Sequence, residues 1–244
     1  MKRSSWLALV LALMSSRGED AASSARNTAA SAPKPGRTTR HHLRDHLDAA
    51  TDLQLAVTTG RLSDARDLAG WFAAHPMNEP DRWRHHLDEL EIAARTIEQA
   101  NDLSTVGAEI GRFGRACSSC HEDQAASVAF RSVPLPAGNT LEANMRRHQW
   151  AAARLWEGLI GPSERRWIEG ARVMATIELD VRQTVHAKPN AEVVGFAEQL
   201  GDLGRRASEL RDHDARAVLY GQMMVTCVGC HNIVRPHAVV ARSR

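Results

Sequence analysis

Two short motifs combine cysteine and histidine at a spacing that suits attachment of an iron porphyrin. All four cysteines of the 244-residue chain belong to them. The motifs are Cys117-Ser-Ser-Cys120-His121 and Cys227-Val-Gly-Cys230-His231. The CxxCH spacing is the attachment signature of haem c. The sequence therefore predicts two haem c groups per chain.

Helical geometry would bring the reactive side chains of each motif to one face. Residues at i, i+3 and i+4 are neighbours on a helix surface, so both thiols can form thioethers with the haem vinyl groups while the imidazole ligates the iron. The residues predicted to attach haem covalently are Cys117, Cys120, Cys227 and Cys230. The predicted proximal iron ligands are His121 and His231.

Other uses of paired cysteines fit the sequence less well. Two disulfides would be possible in an oxidising compartment, but they do not account for the two CxxCH motifs. A thioredoxin-like CxxC requires a βαβ context, which the sequence lacks. A four-cysteine zinc site would have to join two distant motifs without using the histidine beside each. Haem attachment is therefore the favoured interpretation.

The composition indicates an all-helical protein. One Tyr and four Phe are few for a sheet protein, whereas Ala, Leu, Glu and Arg, which are abundant, favour helices. The 31 Lys+Arg residues against 29 Asp+Glu residues leave a formal net charge of +2. This balance provides no broad basic face, so we expect no nucleic-acid partner.

The N-terminus has the pattern of a secretory signal. Two basic residues precede an apolar run from Trp6 to Met14, which is too short to span a bilayer. We assign residues 1–22 to a signal peptide and the start of a leader, and residues 23–37 to a flexible leader with little apolar content. The chain is then expected to be periplasmic, with no stable membrane span after signal removal. An uncleaved membrane anchor is the alternative.

The sequence contains an internal repeat. A shift of 110 positions superposes the two motifs and pairs Gly111 with Gly221. Further upstream the shift falls to 103–106, and His42 then pairs with Met145. Two prolines and one glycine in residues 131–140 break helix and mark a linker. The first copy therefore covers residues 38–130, and the second copy covers residues 141–236.

Each copy divides into four helical stretches with short breaks, which predicts two tandem up-down four-helix bundles. In the first copy the predicted helices cover Thr38–Thr58, Leu62–Ala74, Asp81–Ala100 and Asp102–Glu122. In the second copy the breaks are Gly161-Pro162-Ser163 and Lys188-Pro189-Asn190. The predicted helix caps are Asn139, in a capping box with Glu142, and Asp212 before the last helix.

This order of elements resembles the class II c-type cytochromes, the cytochrome c-prime family. In that family a four-helix bundle has CxxCH near the end of its fourth helix, whereas typical class I cytochromes have the motif near the N-terminus. The chain is similar to two fused copies over residues 38–235. The resemblance implies either a five-coordinate gas binder or a six-coordinate electron carrier, depending on the residue of the first helix that faces the iron.

The resemblance also suggests distal ligands. The stretch Leu141-Glu-Ala-Asn-Met145 is similar to the first helix of Met-ligated members, so we expect Met145 to be the distal ligand of the second haem, with His148 as its competitor. The first copy has no Met in this helix. We expect His42, which aligns with Met145, to ligate the first haem, with His46 as the alternative. An open first site is the remaining possibility.

Other polar residues near the motifs are expected to have ordinary surface roles. His85 and His86 lie on a polar stretch of the third predicted helix, and we expect them to be solvated. Arg112 and Arg115 precede the first motif and are either surface residues or partners of haem propionates. The surface interpretation is preferred.

Six-coordinate irons would leave outer-sphere electron transfer as the available chemistry. We therefore expect a dihaem electron carrier that exchanges electrons with redox partner proteins. A His/Met haem should have the higher potential, which would direct electrons from the first copy to the second. The alternative is an NO- or CO-binding protein with at least one five-coordinate haem. A third alternative is an enzyme, such as a dihaem peroxidase or an NO-processing oxidase. Peroxide chemistry needs acid–base groups above an open iron, and the sequence identifies none, so this alternative ranks last.

Overall fold

The computed structural model describes residues 39–75, 83–176 and 191–234, and it is all-helical over them. The described residues form eight α-helices and no strand, which confirms the all-α class. The helices are α1 (Thr39–Thr58), α2 (Leu62–Ala74), α3 (Arg84–Gln99), α4 (Leu103–Asp123), α5 (Leu141–Ile160), α6 (Glu164–Thr176), α7 (Ala191–Glu209) and α8 (His213–Val234). The predicted signal and leader, and the break at Lys188-Pro189-Asn190, lie outside the described residues.

The first residues of α5 and α8 show which of the predicted helix caps are present. Asp212 caps α8, because its carboxylate accepts a hydrogen bond from the Ala215 amide at 2.7 Å. The predicted capping box at Asn139 is wrong. Thr140 caps α5 instead, and its hydroxyl accepts from the Ala143 amide at 3.2 Å. The helix begins one residue later than predicted, because threonine is also a favoured N-cap residue and its hydroxyl satisfies the exposed amide there.

Helices pack mainly against their neighbours in sequence. Within α1–α4, and again within α5–α8, each helix contacts the next one. Large apolar side chains fill the space between them, since burial of such surface is the main stabilising term. Examples that are less than 2% exposed are Leu53, Phe113, Leu155 and Trp167.

The two helices that contain the motifs, α4 and α8, also pack closely on each other. Their crossing is lined by Gly107, Gly111 and Gly221. A Cβ atom at Gly111 would overlap the carbonyl oxygen of Ala217, and one at Gly221 would lie 3.0 Å from that of Ala108. The pairing of Gly111 with Gly221 in the repeat is thus explained by the close approach of two backbones.

The helix bounds fix the repeat register more closely than the sequence does. α1 and α5 both have 20 residues, α2 and α6 both have 13, and each pair begins 102 positions apart. That shift superposes buried positions, such as Leu53 on Leu155. The upstream pairing of His42 with Met145 is therefore wrong by one residue. His46 pairs instead with His148, because the buried face sets the register.

α8 is the most apolar of these helices. By length and composition alone it could cross a membrane, but a core helix meets the same criterion. Its Leu219, Tyr220, Met223 and Met224 side chains are at most 2% exposed against the rest of the protein. The packing therefore accounts for the apolar character of α8.

Candidate haem-binding site

Both CxxCH motifs lie in the last turns of a long helix. Cys117, Cys120 and His121 are inside α4, and the second motif is in the corresponding turns of α8. The helical condition for placing two thiols and an imidazole on one face is thus met in both copies. All six side chains are buried or half-buried.

Burial keeps the thiols of Cys117, Cys227 and Cys230 protonated. None of the four cysteines is in a disulfide. Burial, and then the neighbouring cysteine of the motif, raises the pKa of Cys117 and of Cys227 to about 12. Burial also raises the pKa of Cys230. Cysteines that exchange disulfides have lowered pKa values, so these environments do not favour a CxxC oxidoreductase.

The two motifs also do not form a zinc site in the described part of the chain. A site with four cysteines would bring their sulfur atoms to within a few ångströms of one another. The only group of three or more potential ligands found among the described residues contains no cysteine. The described residues therefore do not bring cysteines of both motifs together with a third ligand.

A backbone carbonyl orients the first motif histidine. The Nδ1 atom of His121 lies 2.6 Å from the carbonyl oxygen of Ile160, at the end of α5. A carbonyl partner makes Nδ1 the protonated nitrogen and leaves the Nε2 lone pair for a metal ion. The proximal ligand predicted in the first copy is thus held by a helix of the second copy.

The second motif histidine interacts with α5 near its start. Burial, followed by the charges of His231 and Arg147, lowers the pKa of His148 to about 4. His148 is therefore neutral at pH 7, which is the form that ligates iron. Met145 is half-buried and lies three residues earlier, near His148 on the helix surface. Both sequence candidates for the second haem lie near each other, and His148 is the one close enough to His231 for the charge of His231 to lower its pKa.

In the first copy, His46 is enclosed by aromatic side chains. It is 7% exposed, and its ring centroid lies 4.8 Å from that of Trp71 and 5.2 Å from that of Phe72. His42 is in the first turn of α1, but its side chain lies outside the described residues. Of the two sequence candidates, His46 is thus the one with a defined buried position.

Arg115 has a structural role that the sequence did not indicate. Its guanidinium donates to Asp214 at 2.5 Å and to Glu122 at 3.2 Å, so it joins α4 to the start of α8. Arg112 is mostly exposed and pairs with Glu109. The expected surface role therefore fits Arg112 and does not fit Arg115.

The expectation that His86 is solvated is wrong. His86 is 6% exposed, and its Nε2 atom lies 2.7 Å from Oδ2 of Asp123. The exposed His85 ring lies against it, with the centroids 3.7 Å apart. The signal for this cluster was present in the repeat, because the second copy has Phe196 and Ile233 at the positions of His86 and Asp123.

Buried aromatic rings connect the two motif helices. The ring centroids of Phe113 and Trp156 are 6.3 Å apart, and those of Trp156 and Tyr220 are 5.5 Å apart. All three side chains are at most 1% exposed. Phe113 lies four residues before Cys117, and Tyr220 lies seven residues before Cys227. This aromatic series therefore runs from α4 through α5 to α8.

A groove of about 780 Å³ opens between α3, α4, α7 and α8. Its lining includes Arg112, Val218 and Gln222 but none of the motif cysteines or histidines. Helical periodicity places those motif side chains on the other faces of α4 and α8. The groove is therefore separate from the candidate haem sites.

No protein-family model, curated protein or solved structure matches this chain. The resemblance to class II c-type cytochromes thus depends on the motifs and on the order of the helices.

Proposed function

We propose that the protein is an exported dihaem c-type cytochrome that carries electrons by outer-sphere transfer. The observation that carries this proposal is the presence of two CxxCH motifs, each in the last turns of a long helix with its thiols and imidazole on one face. Haem bound there would supply a one-electron redox centre. The thiols that would hold it are Cys117 and Cys120 in α4, and Cys227 and Cys230 in α8.

The donor set fits haem c in its chemistry. His121 and His231 are the proximal ligands in this proposal, and the Ile160 carbonyl supports His121 by holding Nδ1. Such an outer partner fixes the ring orientation and raises the basicity of the ligating nitrogen. The four thiols, none of which is in a disulfide, are available for thioether formation with vinyl groups.

Distal ligands from α1 and α5 would close both irons to substrates. The helix register supports His46 and His148, which occupy equivalent positions, while His42 and Met145 are the ligands expected from the resemblance. With His148 both haems would be bis-His. With Met145 the thioether sulfur would favour ferrous iron and raise the potential of the second haem, directing electrons toward it.

The two copies are proposed to be two four-helix bundles, α1–α4 and α5–α8, that pack on each other through α4 and α8. The packing of each helix against its neighbour in sequence supports this division. The aromatic series supports electron exchange between the two bundles, because its rings divide the distance between the two motif helices into shorter steps. Periplasmic location follows from the signal proposed for residues 1–22, and the carrier would exchange electrons with redox partner proteins there.

The deciding experiment is an optical spectrum of the purified holoprotein with a pyridine haemochrome count and addition of CO. We expect two haems per chain, low-spin bands in both oxidation states and no response of the ferrous protein to CO. Fewer than two haems would contradict the proposal. A wild-type ferrous spectrum that shifts with CO would favour the alternative, an NO- or CO-binding protein with an open iron.

Two single variants then identify the distal ligand of the second haem. His148→Ala and Met145→Ala change neighbouring positions on α5, so each is the matched control for the other. We expect the variant that removes the ligand to have one high-spin, CO-binding haem and one unchanged haem. The other variant should keep the wild-type spectrum. If neither variant changes the spectrum, distal ligation from this face of α5 is wrong.

A further inference from the structure

Three metal-binding side chains converge where α3 begins and α4 ends. One ligand atom from each of His85, His86 and Asp123 lies within 4.8 Å of the other two. The two imidazole centroids are 3.7 Å apart, and His86 Nε2 is 2.7 Å from the Asp123 carboxylate. None of these residues belongs to a CxxCH motif or to the candidate distal ligands.

We propose that His85, His86 and Asp123 bind one divalent transition-metal cation of the Zn²⁺ or Cu²⁺ type, in addition to the haem irons. Two imidazoles and one carboxylate suit these cations, whereas Mg²⁺ and Ca²⁺ prefer sites made of oxygen alone. Three protein ligands leave a position for water.

The distances require only a small adjustment. Zn–N and Zn–O bonds of about 2.0–2.1 Å in a tetrahedral site place ligand atoms roughly 3.3 Å apart. The largest separation in the cluster is therefore reduced by rotation of side chains. His85 is exposed and the Asp123 side chain is 57% exposed, so both are free to rotate toward the cation.

His86 provides a ligand that is fixed before the cation arrives. It is 6% exposed, and its Nδ1 atom is buried without a hydrogen-bond partner among the described residues. A buried imidazole with a purely structural role usually has both ring nitrogens satisfied. One fixed ligand beside two mobile ones fits a site that captures a cation.

The second copy indicates that helix packing does not require this cluster. The equivalent positions there are Gly195, Phe196 and Ile233, which offer no donor atom. A Cβ atom at Gly229 would lie 2.6 Å from the Phe196 ring, so this ring packs closely on α8. An apolar contact therefore packs α7 on α8 at the corresponding place. Helix packing alone does not explain the three donor side chains of the first copy.

Zinc titration of the full-length holoprotein tests the proposal. Zn²⁺ is added in competition with a chromophoric chelator, and bound zinc and iron are counted by elemental analysis after removal of any affinity tag. We expect one tightly bound Zn²⁺ per chain. His85→Gln and Asp123→Asn should each weaken it at least as much as loss of an outer-shell partner does, roughly 10- to 100-fold.

The controls separate this site from other imidazoles and from haem loading. His213→Gln changes a half-buried histidine that bonds Glu122, next to Asp123, and it should leave zinc affinity unchanged. Both test variants change exposed side chains, so the helical fold and the haem count should stay as in the wild type. Absence of bound zinc in the wild type, or equal affinity in wild type and both test variants, would overturn the proposal.

Discussion

The two copies share a helical framework but surround the same motif with different side chains. At the end of α4 the first copy has the His86–Asp123 pair, whereas the second copy packs Phe196 against Gly229 at the end of α8. The equal lengths of α1 and α5 show that this divergence did not alter the helix register. Framework and local chemistry have thus varied independently, as is common when sites change on a constant fold.

The copies also contribute unequally to the region where they meet. At equivalent positions, α1 provides Gln54 and α5 provides Trp156, and both are buried. Trp156 contacts the Phe113 and Tyr220 rings. Gln54 lies near the Tyr220 hydroxyl, which donates to the Ala152 carbonyl at 3.3 Å and whose pKa burial raises well above its usual range. The first copy therefore contributes a polar side chain at the position where the second copy contributes a large apolar one.

The largest expected effect comes from removing that apolar contact. Trp156→Ala should lower the free energy of unfolding by about 3–5 kcal/mol, because a fully buried indole leaves a cavity among packed rings. Chemical denaturation followed by circular dichroism measures the loss. Gln54→Ala should cost less, about 1 kcal/mol, because the Tyr220 hydroxyl keeps its hydrogen bond to the Ala152 carbonyl and loses only its interaction with the Gln54 amide. Trp150→Ala, on the half-buried face of α5, is the control for loss of an indole. Equal losses of unfolding free energy for Trp156→Ala and Gln54→Ala would contradict the proposed difference between the two copies at this contact.

A second comparison concerns the equivalent glycines of α4 and α8. Gly111→Ala should cost about 1–3 kcal/mol, because the added methyl group overlaps the Ala217 carbonyl and forces two backbones apart. Gly221→Ala should cost less, since its nearest contact, the Ala108 carbonyl, is 3.0 Å away. Thermal unfolding of both variants gives the order of the two effects.

Gly195→Ala is the matched control for these glycine variants. No atom of another described residue lies within 4 Å of a Cβ at Gly195, so the better helix propensity of alanine should stabilise α7 by about 0.5–1 kcal/mol. If Gly111→Ala behaved like Gly195→Ala, close packing of α4 on α8 would be excluded.

The sequence predicted most of the helical framework. Periodicity and breaks placed α2 at Leu62–Ala74, as observed, and the aspartate before α8 was recognised as its cap. These features are local, since they depend on residues within one or two turns. The capping box at Asn139 failed because two good capping residues, Asn139 and Thr140, are adjacent.

Contacts between helices that are far apart in the sequence could not be predicted from it. The alignment of His42 with Met145 came from the looser upstream shift of 103–106, whereas the register depends on which face of α1 and α5 is buried. His86 was expected to be solvated because its partner, Asp123, is 37 residues away. Likewise, no residue near His121 in the sequence indicates that the Ile160 carbonyl lies beside the imidazole ring. Side-chain environments of this kind follow from tertiary packing, which a single sequence does not reveal.

The smallest expected effect separates a charged junction in the second copy from an apolar one in the first. Glu164 of α6 bonds the buried guanidinium of Arg216 in α8, while the equivalent positions in the first copy are Leu62 and Val106. The hydrogen bond from Arg216, then the nearby positive charges, holds the pKa of Glu164 below its usual value near 4.5. A carboxylate with a depressed pKa stabilises the folded state above that usual value, and the stabilisation is lost as the pH falls through the folded-state pKa.

Glu164→Gln should therefore lower the free energy of unfolding by about 1 kcal/mol at pH 7, a modest amount because the Glu164 side chain is 53% exposed and screened by water. The difference from the wild type should shrink as the pH is lowered below 4.5, when the wild-type carboxyl becomes protonated. Urea unfolding at several pH values measures it. Glu169→Gln removes an exposed pair with Arg165 on the same helix and should have almost no effect at any pH. If Glu164→Gln causes the same loss of unfolding free energy at pH 3 and at pH 7, then the packing of this side chain, and not its charge, stabilises the junction in the second copy.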